Sequence, residues 1–399
     1  MRLPVIFLAV LIILDIIVDG YIYMTISRRS PYSRRTTMQR IHVTVSVVFL
    51  AALISLIFMP VRSGSDTSLR IVMWILYAYL TVYVPKVVWI IFDLTASIPK
   101  LFHRRRAGWL SSIGLLCGIG IFGAMWWGAL INRFSIDVKK VDVTIKDLPA
   151  AFDGYTIAQF SDLHTGTFGN DTTFVAKLVN RINSLKPDLI VFTGDIVNRN
   201  SNELKPFVPV LSKLKAPDGV ISILGNHDYG DYTNWPSEGS KKQNMELLYR
   251  LQKQMGWDLL RNESRDIFRA NDSILIIGVE NIGDPPFHVY GSLKKACPDT
   301  STPQTKILLS HNPSHWRDSI ADNKQHNIDL TLAGHTHAMQ IEIAGLSPAV
   351  LRYPTWGGMY NDRTTSNRLY VNIGSGTVGL PMRIGATPEI TLFTLHSAR

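Results

Sequence analysis

Cysteine is nearly absent. Cys117 and Cys297 are the only two in 399 residues. Cys117 lies in an apolar segment, so no disulfide framework holds the chain together. Acidic residues are also short: 31 Asp and Glu stand against 41 Lys and Arg, a formal net charge of +10. A basic surplus raises the question of nucleic acid. The chain beyond residue 134 nevertheless has no dense basic stripe with interleaved stacking aromatics, which argues against nucleic acid as the partner. Internal repeats and low-complexity tracts are missing as well. The first apolar segment has no clear small-residue cleavage site, and more apolar segments follow it, which argues against reading it as a signal peptide.

Apolar sequence is what the front of the chain has in excess. Leu3–Thr25, Ile41–Val61, Arg70–Ile98 and Trp109–Ile131 are each long enough to cross a hydrocarbon core of about 30 Å. They predict a four-helix transmembrane region over residues 1–134, with a second domain over 135–399. The basic residues explain its orientation. Arg28, Arg29, Arg34, Arg35 and Arg40 follow the first span. Lys100 and Arg104 to Arg106 follow the third. The positive-inside rule puts both runs in the cytoplasm. The loop Arg62–Ser68 is then outside, and so is everything after Asn132. Asp15, Asp19, Lys86 and Asp93 interrupt the spans and are costly in lipid unless paired or near a boundary. We expect Asp19 and Asp93 close to an interface, and Asp15 facing Lys86 inside the bundle, either as a structural ion pair or with a role in lipid entry.

The second domain is organised around Ala158–Asp195. Tyr155–Phe160 and Leu189–Thr193 read as strands, and Thr173–Leu185 between them has helical periodicity, with Phe174, Leu178 and Ile182 on one face. Ser135–Pro149 reads as an edge strand and Leu204–Leu214 as a helix. Gly219–Leu224, Lys306–Leu309, Ile328–Ala333, Leu369–Ile373 and Glu389–Leu395 read as further strands. Met245–Gln254 reads as helical, and Ile267–Glu280 contains alternating apolar runs.

Five of these strand ends deliver metal-ligand types. Asp162 and His164 follow the first, Asp195 the second, and Asn226 with His227 the third. His311 follows the fourth, and His335 with His337 the fifth. In an open parallel sheet the ligand site lies beyond the carboxyl ends of the strands. Asp-x-His and His-x-His spacing puts alternate side chains of an extended segment on one face. Gly194, Gly225 and Gly334 stand immediately before candidates and allow a sharp turn or a close approach. Oxygen and imidazole donors without thiolates argue against a closed structural zinc site and suit Mn, Fe or Zn.

The set DLH, GDIVN, GNHD, SHNP and GHTH resembles the calcineurin-like metallophosphoesterase superfamily, from roughly Phe152 to Leu395. With its apolar front, the whole resembles a membrane-associated bacterial branch. The resemblance implies an α/β domain built as a four-layer α/β/β/α sandwich, with two divalent metal ions. Asp162, His164 and His337 would hold the first ion, Asn226, His311 and His335 the second, and Asp195 would bridge them. A metal-bound hydroxide would attack phosphorus, and His227 would contact the phosphate and protonate the leaving group.

Membrane attachment makes a lipid phosphate or lipid pyrophosphate the expected substrate, with membrane lipids as surroundings and a periplasmic catalytic domain on a bacterial inner membrane. The aromatic loops Tyr229–Gly239 and Tyr353–Tyr360 either line an apolar pocket or pack over the sheet. Asn198 either positions a phosphate or orders its loop. Three other readings stay open: soluble nucleotides or phosphodiesters with the bundle only an anchor, a UDP-linked lipid A precursor if the domain is cytoplasmic, and a metal-stabilised scaffold without turnover.

Overall fold

The structure is a computed structural model that describes residues 5–59, 65–283, 285, 288–302, 304–323, 325–362 and 365–398. Residues 62–64 of the expected outside loop lie beyond the described residues. The chain divides into two compact units, residues 1–131 with 379–382, and residues 132–378 with 383–399.

The first unit contains four helices long and apolar enough to cross a membrane: α1 (Val5–Arg29), α2 (Tyr32–Ile57), α3 (Asp66–Thr95) and α4 (Gly108–Leu130). Ser65 caps α3 by accepting the Ser68 N–H, and Pro85 lies inside that helix. Polar groups hold α1 to α3. Tyr79 donates to Asp15 at 2.5 Å, Tyr83 to Asp19 at 2.7 Å, and Arg29 to Asp93 at 2.6 Å. All three pairs are separated by 64 residues, so α1 and α3 run parallel in one fixed register. One span, α2, lies between them, which requires that direction.

One expectation about these charges needs correction. Lys86 pairs with Asp19 at 2.8 Å, not with Asp15, whose partner is the Tyr79 hydroxyl. Asp15 and Asp19 are four residues apart and share one helix face, so sequence spacing cannot choose between them. Asp93 is fully buried. Its carboxylate is held by Arg29 and Arg106, with Tyr21 and Ser111 also donating. Arginines from both basic runs therefore turn back onto one carboxylate.

The second unit is built from two six-stranded sheets. Its strands are β1 (Asp137–Ile145), β2 (Thr156–Phe160), β3 (Leu189–Phe192), β4 (Val220–Ser222), β5 (Asp258–Leu259), β6 (Glu263–Arg269), β7 (Asp272–Gly278), β8 (Lys306–Leu309), β9 (Leu330–Ala333), β10 (Gly358–Asn361), β11 (Arg368–Val371) and β12 (Glu389–Ser397). One sheet has the order β1-β12-β2-β3-β4-β5 and the other β10-β11-β9-β8-β7-β6. β2 to β5 are parallel, and so are β7, β8, β9 and β11. β1 is an edge strand, as its charged alternation suggested, and pairs in parallel with β12. Ile267–Glu280 resolves into β6 and β7, joined at a tight turn in which Ala270 has φ 54°.

Side-chain alternation along the strands makes the layers. Ile157, Leu189, Val191 and Phe393 of the first sheet meet Ile274, Ile276, Leu309 and Leu332 of the second in one buried cluster. The opposite faces are covered separately. Ala158, Phe160, Ile190 and Phe192 pack with Phe174, Leu178 and Leu248 of the helices α5 (Thr173–Ser184) and α7 (Glu238–Gln254), with the single turn α6 (Val208–Leu211) beside them. Ile277, Leu308, Leu369 and Val371 pack under α8 (Leu293–Ala296) and the turn Trp316–Ile320. The four-layer α/β/β/α order is present, with a thin fourth layer.

The expected helix Leu204–Leu214 is different. Ser201–Phe207 is a 3-10 helix that passes into the one turn of α6. Pro206 and Pro209 remove two N–H donors, so a continuous α-helical ladder cannot form there.

Candidate metal centre

Two sheets, not one open sheet, supply the site. Asp162 and His164 follow β2, Asp195 follows β3, and Asn226 and His227 follow β4, all in the first sheet. His311 follows β8, and His335 with His337 follow β9, in the second sheet. The donors gather in two groups. Ligand atoms of Asp162, His164 and His337 lie within 4.8 Å of one another, and so do those of Asp195, His311 and His335.

Asp195 joins the groups. Its Oδ2 lies 3.2 Å from His311 Nε2 and 3.7 Å from His164 Nε2. His337 Nε2 lies 3.2 Å from Asp162 Oδ1 and 3.0 Å from His164 Nε2. Asn226 Oδ1 is 3.1 Å from His311 Nε2. The Asn226 amide donates to the Tyr232 hydroxyl at 2.8 Å, which turns its oxygen toward His311. Two imidazole nitrogens at 3.0 Å, beside buried carboxylates and without a thiolate, are the donor chemistry that two divalent cations need. The residues fit such a pair of ions.

The backbone is strained where the donors are. Asp162, His164, Asp195, His335 and His337 have φ of 52°, 48°, 61°, 76° and 52°. A left-handed non-glycine residue costs about 1–2 kcal/mol, so other bonds must hold these conformations. The Asp162 N–H donates to Gly194 O at 2.9 Å, the His164 N–H to Asp195 O at 3.1 Å, and the His335 N–H to Asp162 Oδ2 at 3.0 Å. Gly225 is needed for closeness: a Cβ there would lie 2.2 Å from Asp195 Oδ1. Gly334 meets the same limit, 2.4 Å from Asp162 Oδ2.

Burial dominates the electrostatics. It raises the Asp162 and Asp195 carboxyls, but His337 and His311 respectively lead the opposing charges, and both carboxyls end below their usual range. Burial pulls the His335 imidazole down to about 3 and lowers His164 and His337. His311 goes the other way: burial lowers it, yet Asp195 lifts it to about 9. Neutral imidazoles and ionised carboxylates are the forms that bind metal.

His227 sits beside both groups. Its ring lies edge-on to His164, with centroids 4.8 Å apart, and against Tyr232 at 4.3 Å. Its Nδ1–H donates to Asn198 O at 2.6 Å, which directs Nε2 outward. Asn198 itself orders the loop, through its N–H to Glu203 and its amide to Thr167.

Two residues were missed in the sequence. Asp228 is fully buried and accepts the N–H groups of Asp195, Ile196, Val197 and Gly225 at 2.9, 2.9, 3.2 and 2.9 Å. Burial, then Asp195, pushes its carboxyl up to about 7, against the pull of the backbone donors. The signal was available, because GNHD ends in it. Arg383 is also fully buried, donating to Gly376 O, Ala386 O and Ile373 O and lying 3.2 Å from His337 Nδ1. No spacing pattern marks it.

The aromatic loops divide in role. Tyr232 and Tyr353 reach the donors, the latter with its hydroxyl 3.0 Å from His335 Nε2. Trp235 bonds within its own loop to Gly230 O, and Trp356 packs against the cluster of Ala338, Ile373 and Ala386. Asp231 is tied to Lys241 and Tyr290.

A two-sheet sandwich with paired His/Asp clusters at its strand ends defines a metal-dependent phosphoesterase. Residues 155–339 match the family described as "Calcineurin-like phosphoesterase", and residues 1–133 match "Probable Calcineurin-like phosphoesterase, transmembrane domain". The chain is 32% identical over 298 residues to "Uncharacterized metallophosphoesterase YkuE" of Bacillus subtilis, covering 70% of this chain and 96% of that one. It is 26% identical over 359 residues to "Uncharacterized metallophosphoesterase Cj0846" of Campylobacter jejuni, covering 88% of each. It is 31% identical over 269 residues to "Transmembrane protein with metallophosphoesterase domain" of Bos taurus, covering 65% of this chain and 57% of that one. The chain thus spans little more than half the length of that last relative. It belongs to the calcineurin-like phosphoesterase superfamily, as a multi-pass membrane enzyme with an N-terminal transmembrane domain. Its relatives come from bacteria and from animals, so membership does not by itself select a bacterial branch.

Proposed function

We propose that this enzyme hydrolyses a phosphate ester or pyrophosphate of a membrane lipid at a two-metal centre. The observation that carries the chemistry is the pair of three-donor clusters joined through Asp195. Asp162, His164 and His337 would hold one cation and Asn226, His311 and His335 the other, with Asp195 available to both; Mn, Fe or Zn suits these donors. When bound, two such ions supply water activation at neutral pH and neutralise charge on the phosphoryl oxygens.

The remaining work falls to the chain itself. The His227 Nδ1–H is held by Asn198 O, so the imidazolium form would present Nε2–H to the reacting phosphate, pass that proton to the leaving oxygen and be left as the neutral Nδ1–H imidazole. Tyr353, beside His335, is placed to donate to a phosphoryl oxygen.

Chain connectivity supports the lipid class. Leu130 ends α4 and Asp137 begins β1, so the link spans at most about 25 Å even when extended. Such a tether keeps a catalytic domain near a two-dimensional pool of phosphorylated headgroups. We further propose a bacterial cytoplasmic membrane with the catalytic domain outside, on the strength of the two arginine-rich loops.

The test is to incubate metal-loaded enzyme with a total membrane lipid extract and resolve the products by mass, with Asp195→Asn as control. Loss of one lipid species, with release of phosphate or a phosphorylated headgroup, supports the reading. Efficient cleavage of soluble nucleotides with no lipid changed overturns it and leaves the bundle as an anchor. Reporter fusions after residue 398 and in the Arg28–Arg40 loop should report opposite sides; a cytoplasmic signal from the former overturns the orientation.

A further inference from the structure

The four-helix unit contains a cavity of about 1000 Å³, far from empty of character. All four helices line it. One end carries charge: Arg29 and Arg34 beside the α1–α2 turn, and Asp93, Arg106 and Ser111 beside the α3–α4 connection. The other end is walled by Ile22, Val82, Ile119 and Phe122.

The charges do not cancel. Lys86, partway along the cavity, is neutralised by Asp19 at 2.8 Å. Asp93 offers a single carboxylate to both Arg29 and Arg106. Arg34 has no side-chain hydrogen bond or ion pair among the described residues. Two positive charges are therefore left over at the polar end, which is the charge of one or two phosphate oxygens. Guanidinium groups are also the donors that bind phosphate bidentately.

The dimensions point to what accompanies the phosphate. Ile22 is one row of seven residues from Arg29, and Phe122 lies eleven residues from Ser111. At the helical rise these separations are about 10 Å and about 16 Å. Half of a hydrocarbon core is about 15 Å. The apolar wall thus continues inward from the cationic end for about the depth of one leaflet. A soluble phosphate would leave that wall uncovered.

We infer that this cavity binds an anionic phospholipid, its phosphate against Arg29, Arg34 and Arg106 and an acyl chain along the Ile22–Phe122 wall. The site is made wholly of bundle residues and shares none with the metal centre. It stands whether or not the hydrolysed substrate is a lipid.

The experiment uses the full chain, delipidated in detergent, with lipid binding read by native mass spectrometry. The probes are synthetic phosphatidylglycerol, phosphatidylcholine of the same acyl chains, and inorganic phosphate. One phosphatidylglycerol should be retained at detergent conditions that strip phosphatidylcholine, and inorganic phosphate should not displace it. Arg34→Gln, which breaks no side-chain hydrogen bond or ion pair among the described residues, should weaken phosphatidylglycerol about fivefold, the effect of one lost cation near a lipid phosphate. Arg104→Gln, in the second basic run beside Arg106 but outside the cavity lining, should leave binding unchanged. Equal retention of both lipids overturns the inference, as does an equal effect of the two substitutions, which would indicate a general electrostatic shell. Displacement by inorganic phosphate alone overturns the lipid assignment.

Discussion

His227 donates its backbone N–H to Oδ1 of Asp195 at 2.8 Å. The residue proposed to protonate the leaving group is thereby bonded to the carboxylate proposed to join the two cations. Replacing Asp195 should disturb both functions. Asp195→Asn keeps the side-chain volume but removes the charge, so we expect metal content to fall from two ions per chain to one or fewer. Activity toward an aryl phosphate diester should fall at least about a thousandfold, the scale for losing a main electrostatic element of a site. Elemental analysis beside turnover checks this. Full metal content with full activity would sink the bridging role.

Asp228 is the support beneath that carboxylate. Four backbone N–H groups end on it, and Asp228→Ala would leave all four buried without an acceptor. Each orphaned donor costs about 1–3 kcal/mol. We expect a loss of several kcal/mol, seen as a large drop in melting temperature of the detergent-solubilised protein. Asp228→Asn should be milder in stability yet still lower metal affinity, because an amide can accept only at its oxygen. A melting temperature unchanged in the alanine variant would refute the assignment.

Arg383 gives a third expectation. Its guanidinium satisfies three carbonyls and touches His337. Lysine cannot reproduce that fork. Arg383→Lys should therefore loosen the metal group of Asp162, His164 and His337 before the other, lowering occupancy to about one ion per chain in a chelator titration. Equal loss of both ions would indicate general unfolding instead of a local role.

The strand-end ligands were legible because each element announces itself twice, by an apolar run and by the polar residues that end it. Asp162, Asp195, His311 and His335 are readable for that reason. What sequence spacing cannot carry is which sheet a strand joins. β2 and β9 look alike in sequence yet lie in different sheets, so the site closes between two sheets. Arg383 sits in an irregular segment and acts through carbonyls, which leave no residue-type signature. Pro206 and Pro209 were visible, and their missing N–H groups should have argued against the helix Leu204–Leu214.

Acid should destabilise the catalytic unit through His315. This imidazole is buried, is hydrogen-bonded to Ser310 at 2.9 Å, and is held down to about 4 by burial, with His326 adding to the effect and Asp318 opposing it. Unfolded, it titrates near 6.5. The folded state therefore binds fewer protons between those values, and its stability is complete above pH 6.5 and is lost as pH falls toward 4. The full effect is about 3 kcal/mol. His315→Gln should flatten this part of the profile of melting temperature against pH. An unaltered slope would show that other groups carry it.

Lys86 and Asp19 supply the last test, inside the bundle. Both side chains are largely buried and lie 2.8 Å apart, and Lys86 also sits over the Tyr83 ring at 4.3 Å. Lys86→Met removes the cation and leaves Asp19 with the Tyr83 hydroxyl at 2.7 Å and, more distantly, His42 at 3.8 Å. Breaking one side of a buried pair costs about 3–5 kcal/mol, whereas removing both sides together is often neutral. Lys86→Met should thus unfold well below the parent in detergent, and Lys86→Met with Asp19→Asn should recover most of the difference. Asp15→Asn serves as comparison, because its partner is the neutral Tyr79 hydroxyl and no cation is stranded; its loss should be smaller than that of Lys86→Met. If the double variant is no better than the single one, the pair is not coupled, and Lys86 must act through the Tyr83 ring instead.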